Sequence, residues 1–179
     1  MKIYLFVILA AIALGCSTIF AQGDSSKCAI KAWVDDEREL IKDIFVHESP
    51  STTSKNIGEI PFVNEEGLEA IVEIVGYKNG WLQIRKATTL EDKVIFQGLG
   101  WIQGGRVTAN VQRPDGNERK TAPLYSLHDP KSKKIGTIPS ETLVKIVGFD
   151  CFGFKVKYKG KTGWLPKNYI CGNPVTTCS

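Results

Sequence analysis

The side chains best suited to chemistry in this 179-residue chain are its five cysteines and two histidines. They are Cys16, Cys28, Cys151, Cys171 and Cys178, with His47 and His128. A cysteine peptidase needs a free thiolate at the start of a helix and a histidine positioned as its base. The spacing of the cysteines contains no C-x₂-C pair and no nearby histidine, which argues against a zinc site. We therefore predict no catalytic residue, no metal and no cofactor.

The N-terminus predicts export. Lys2 is followed by an apolar run, Ile3 to Leu14, which is shorter than the roughly 20 residues of a membrane span and ends in small residues, as secretory signals do. Cleavage is expected after Ala21, so that residues 1–21 form a signal peptide. The alternative is a lipoprotein anchored through Cys16, because "ALGC" resembles a bacterial lipobox, although Ala13 holds the position of the usual leucine and Leu14 lies one place late. No later segment could cross a bilayer.

Export leaves four cysteines, Cys28, Cys151, Cys171 and Cys178, and an even number in an exported chain predicts two disulfides. The Asn-Pro turn between Cys171 and Cys178 favours their pairing, which leaves Cys28 for Cys151. The pairing Cys151–Cys171 with Cys28–Cys178 stays open.

Charge divides the chain into two parts. Residues 22–106 carry 10 lysines and arginines against 14 acids, whereas residues 122–179 carry 9 against 3. This shift predicts two structural units. The two units could attract each other, or the basic second unit could bind an anionic surface. The modest net charge and the absence of a base-stacking motif argue against nucleic acid as a partner.

Three blocks of sequence recur in the same order. Ser54–Pro61 matches Ser132–Pro139 at six of eight positions; Val72–Lys86 then matches Val144–Tyr158, and Gly100–Ile102 matches Gly163–Leu165. Stretches such as "WLQIRK" and "FKVKYK" alternate apolar and polar residues, and Asn-Gly and Lys-Gly pairs separate them. The pattern predicts an all-β protein of two small units with about five short strands each.

Both repeats resemble bacterial SH3-type domains, through "SKNIGEIP", "VEIVGYKNGWLQI" and "GLGWI" in the first and "SKKIGTIP", "VKIVG" and "GWLPKNYI" in the second. The resemblance implies two tandem SH3-like β-barrels. The predicted organisation is a signal peptide (1–21), a first domain (28–106), a linker (107–121), a second domain (122–172) and a disulfide-stapled tail (173–179).

The second repeat also resembles a eukaryotic SH3 domain, through "APLYS" and "GWLPKNYI". That resemblance implies a peptide groove lined by Tyr125, Pro166, Asn168 and Tyr169, which would suit a polyproline-II peptide. Two features depart from the family. Gly153 stands where a groove tryptophan is usual, and Lys133 and Lys134 replace the usual acids of the arm, which favours an anionic ligand.

These features predict a non-catalytic binding or targeting module of the bacterial envelope, periplasmic or secreted, that recognises peptide or cell-wall ligands. The expected partner is a peptide, peptidoglycan or an envelope protein. The alternative is a structural accessory protein of an envelope complex, in which the two barrels present a protein interface.

Overall fold

The computed structural model describes residues 28–34, 43–61, 70–112 and 121–172. Within these ranges the chain consists of β-strands, turns and short 3₁₀ segments, so the all-β prediction is confirmed. None of the helices in this part of the protein is long and apolar enough to span a membrane. The predicted signal peptide, Cys16 and the tail with Cys178 lie outside the described residues.

Thirteen strands and two 3₁₀ helices follow one another along the described chain. The first repeat contains β1 (Ile30–Val34), β2 (Ile44–His47), β3 (Asn56–Ile60), β4 (Ile71–Lys78), β5 (Trp81–Thr88), β6 (Val94–Gln103), a 3₁₀ helix (Gly104–Arg106) and β7 (Val107–Val111). The second contains β8 (Thr121–Tyr125), β9 (Lys134–Pro139), β10 (Thr142–Asp150), β11 (Gly153–Tyr158), β12 (Lys161–Pro166), a 3₁₀ helix (Lys167–Tyr169) and β13 (Ile170–Cys171). From β2 onward, both repeats therefore have the same succession of arm, meander, 3₁₀ helix and closing strand.

All these strands belong to one antiparallel sheet. Its order is β3-β2-β6-β5-β4-β1-β7-β10-β11-β12-β8-β9, and β13 pairs with β7. The alternating strands bury one face: Leu82 and Ile84 are fully buried in β5, as are Phe154 and Val156 in β11. One apolar cluster contains core residues from both repeats.

The strand β7 joins the two repeats. Residues 107–121 were predicted to be a linker, but Val107, Ala109 and Val111 are fully buried in a strand between β1 and β10. Because the "VTANV" segment alternates apolar and polar residues, it can add a strand to both neighbours. Thr121, the last residue of the predicted linker, is the first residue of β8, and residues 113–120 lie outside the described part.

Candidate functional site

Four residues predicted from separate motifs line one groove in the second repeat. Tyr125 ends β8, Pro166 ends β12, and Asn168 and Tyr169 belong to the 3₁₀ helix that follows. They enclose an open groove of about 440 Å³, together with Pro130, Cys151, Phe152 and Lys167. Pro166 is buried and forms the floor, whereas Asn168 is exposed at the rim. Strand ends from distant parts of the sequence thus converge on one surface.

Phe152 is an aromatic groove residue that no sequence motif predicted. Its ring lies edge-on to Tyr125, with the ring centroids 6.2 Å apart and the planes at 74°. Phe154, next to Gly153, is instead fully buried in the core. The repeat alignment could have pointed to Phe152, because it occupies a turn position held by Gly80 in the first repeat.

The turn that carries Phe152 is fixed by hydrogen bonds from both sides. The backbone N–H groups of Phe152 and Gly153 donate to Oδ1 of Asp150, at 2.9 Å and 3.3 Å. The Lys167 N–H donates to the Phe152 carbonyl oxygen at 2.8 Å, which joins the turn to the 3₁₀ helix. Asp150 is in turn held by His128, whose Nδ1 contacts its Oδ2. Asp150 therefore positions one wall of the groove.

We expect Asp150→Ala to lower the free energy of unfolding by about 1–3 kcal/mol, because two backbone donors lose a charged acceptor. Urea titration followed by tryptophan fluorescence would measure the change. Asp150→Asn is the matched control, since its side-chain oxygen can still accept both bonds. Equal losses in the two variants would contradict a role for this acceptor in holding the turn.

The two predicted cations, Lys133 and Lys134, lie beside the groove and do not line it. Lys134 begins β9 directly opposite Tyr125, and the Lys133 carbonyl oxygen accepts a hydrogen bond from Ser126 N at 2.9 Å. Neither lysine lines the groove; Lys167 does. Both arm lysines are exposed. Their charges can therefore act on an approaching ligand through solvent, without touching the floor of the groove.

A disulfide lies at one end of this groove. Cys28 is bonded to Cys151, with the Cα atoms 4.8 Å apart, and Cys151 is itself a groove residue. The preferred pairing of these two cysteines is confirmed, and the alternative that joined Cys151 to Cys171 is wrong. Cys171 is also disulfide-bonded. Its predicted partner, Cys178, lies outside the described residues.

The equivalent surface of the first repeat is polar. His47 takes the place of Tyr125, Gln103 that of Pro166 and Arg106 that of Tyr169, around a smaller groove of about 250 Å³. Asp43 also lines it. The hydrogen bond that the protonated Glu59 carboxyl donates to Asp43 raises the pKa of Glu59, and partial desolvation and the negative charge of Asp43 act in the same direction. The two repeats share an architecture but differ in the chemistry of this surface.

The described residues contain no cluster of three or more potential metal-ligating side chains. No protein-family model matches the chain, and no curated protein matches it. Two similar solved structures are NlpC2 and NlpC1 from Trichomonas vaginalis, each 17% identical with a TM-score of 0.32. The alignments cover 81% and 79% of this chain, and 48% and 45% of the other chains. This chain thus spans less than half the length of either structure.

Proposed function

We propose that the protein is an exported, non-catalytic binding module whose second repeat holds an extended, carboxylate-bearing peptide of the bacterial envelope. One observation carries the proposal: four residues chosen from two separate sequence motifs converge on one open groove. In this proposal both repeats are SH3-like barrels, and the second is the ligand-binding one.

The walls of the groove suit an extended peptide. Tyr125, Phe152 and Tyr169 offer aromatic surface, and Pro130 and Pro166 add rigid apolar surface. A polyproline-II segment packs well against such walls, because it loses little conformational entropy when it binds. The exposed Asn168 is placed to donate a hydrogen bond to a peptide carbonyl group.

The charge around the groove favours carboxylates on the ligand. Lys167 lines the groove, and Lys133 and Lys134 are exposed on the neighbouring arm. Exposed charges of this kind accelerate association and select against cationic ligands more than they hold the complex together. Stem peptides of peptidoglycan, which carry free carboxylates, fit this chemistry.

An accessory role in an envelope complex is the second candidate. It is favoured by the apolar surface of the first repeat, where Phe45, Val94 and Leu99 are 49%, 48% and 60% exposed. Such residues are commonly buried by protein partners when they form a patch. In that case the first repeat would bind the partner protein, and the groove of the second repeat would be dispensable.

We expect Tyr125→Ala with Tyr169→Ala to weaken peptide binding by at least about 2 kcal/mol, because truncating aromatic anchors costs about 1–3 kcal/mol each at a binding hot spot. Isothermal titration with purified muropeptides and proline-rich envelope peptides would measure the loss. Circular dichroism would establish that the variant is folded.

The matched control is His47→Ala with Arg106→Ala, at the corresponding positions of the first repeat. It should leave the affinity of the same peptides unchanged. If peptide binding survives loss of both tyrosines, the groove is not the binding site. If an envelope protein is retained by the tyrosine variant but lost on Phe45→Ser with Leu99→Ser, the accessory role is the correct one.

A further inference from the structure

Three lysines share the outer face of the meander in the second repeat. Lys145 of β10 lies directly opposite Lys157 of β11, and Lys155 lies on the same face two residues before Lys157. Their neighbours Val144, Ile146 and Val156 are buried on the other face. We call this group of Lys145, Lys155 and Lys157 the lysine face.

The first repeat has a neutral pair at the corresponding place. The aligned blocks put Glu73 at the position of Lys145 and Arg85 at that of Lys157. Arg85 Nε donates to Glu73 Oε2 at 2.8 Å, which forms a cross-strand ion pair. Gln83 takes the place of Lys155. The duplicated fold thus needs no positive charge here, and the second repeat has replaced an ion pair by two cations.

This replacement is unfavourable for the isolated fold. Like charges directly opposite each other on neighbouring strands destabilise a sheet. Within the described residues, none of the three lysines forms an ion pair with a carboxylate. Departures of this kind from local stability rules are expected where a surface has a function.

The geometry of the face suits a flat array of cations. The side chain of Lys155 crosses Gly148, where an added Cβ would lie 2.9 Å from the Lys155 Cβ. Opposite side chains of an antiparallel pair are about 5 Å apart, and alternate residues along a strand about 7 Å. The exposed Thr162 lies opposite Lys157 and adds a hydroxyl donor beside the charges.

We propose that the lysine face binds a linear phosphodiester polyanion, a function that goes beyond the peptide groove and uses a different surface. Each ammonium can neutralise a different phosphate of an extended polymer, and the release of counterions then drives binding. A lipid surface is disfavoured, because three lysines contribute only about 1 kcal/mol each there and stable attachment needs an apolar anchor as well.

Lys145→Glu tests the proposal, because it recreates the opposite-charge pair of the first repeat and should leave the fold intact or slightly more stable. The probes are poly(glycerol phosphate), a single-stranded oligonucleotide, glycerol phosphate as the monomer, and vesicles that contain phosphatidylglycerol. For the parent protein we expect binding of at least one polymer with strong salt dependence, and much weaker binding of the monomer. In Lys145→Glu the affinity for that polymer should fall about tenfold at low salt.

Lys78→Glu in the first repeat is the control, because it changes the net charge equally at another exposed lysine. It should weaken polymer binding less than twofold. Equal losses in both variants would overturn the proposal in favour of a net-charge effect. Binding to vesicles without binding to either polymer would also overturn it.

Binding of poly(glycerol phosphate) alone would identify an envelope polymer as the source of the phosphodiester, and binding of the oligonucleotide alone would identify a nucleic acid. Because the double tyrosine variant retains the lysine face, its loss of peptide binding but not of polymer binding would separate this site from the groove.

Discussion

Cys28→Ser with Cys151→Ser is expected to lower the free energy of unfolding by about 4 kcal/mol. The bond closes a loop with a sequence separation of 123, and a crosslink over so long a loop removes much conformational entropy from the unfolded chain. Urea unfolding of the parent and the variant, both without reductant, would measure the difference. A loss below about 1 kcal/mol would contradict a stabilising role for this bond.

The same double variant should also bind peptides more weakly in the groove. Cys151 lines the groove next to Phe152, and Cys28 lies two residues before β1, which pairs with both β4 and β7. Without the bond, the turn of Cys151 and Phe152 keeps its hydrogen bonds to Asp150 and to the 3₁₀ helix and the contact of Phe152 with Tyr125, but loses its covalent link to Cys28. Peptide affinity should therefore fall in a variant that is still folded, as measured at low temperature where the folded state predominates. Unchanged affinity would show that the turn is held independently of the disulfide.

Sequence motifs predicted the groove because each motif fixes a local structure whose end points to the same surface. "GWLPKNYI" gives a strand that ends at Pro166, followed by a 3₁₀ helix that presents Asn168 and Tyr169. "APLYS" gives a strand that ends at Tyr125. Alternation of apolar and polar residues is a local property, so it also predicted the all-β class correctly.

Sequence patterns could not predict the contacts between residues that are distant along the chain. Phe152 enters the groove because the Asp150 carboxylate and the 3₁₀ helix bend its turn, and neither contact has a periodic signature. Residues 107–111 were predicted to belong to a linker because they lie between the two repeats, although their alternation is that of a strand. Burial on both sides of β7 depends on β1 and β10, which come from distant segments.

Gly153 stands where the sequence resemblance predicted a tryptophan, and the fold gives a steric reason for the glycine. A Cβ added to Gly153 would collide with the carbonyl oxygen of Leu165 and lie 2.9 Å from the backbone nitrogen of Lys167. Both are backbone atoms, which cannot move aside as a flexible side chain can. The groove aromatic therefore cannot occupy position 153, and Phe152 supplies the ring from the preceding position.

Gly153→Ala is accordingly expected to lower the free energy of unfolding by about 3 kcal/mol, the upper part of the usual range for overpacking, since β11 must move away from β12. Gly160→Ala is the control: Gly160 has a φ of +76° and open space around it, so an alanine there is strained only by its backbone conformation and should cost about 1 kcal/mol. Urea titrations of the two variants provide the comparison.

The movement of β11 away from β12 should also displace Phe152 and weaken peptide binding in Gly153→Ala but not in Gly160→Ala. If Gly153→Ala unfolds at the same urea concentration as the parent, the close approach of the Gly153 backbone to Leu165 is not a feature of the folded protein, and a tryptophan at position 153 would then be sterically possible.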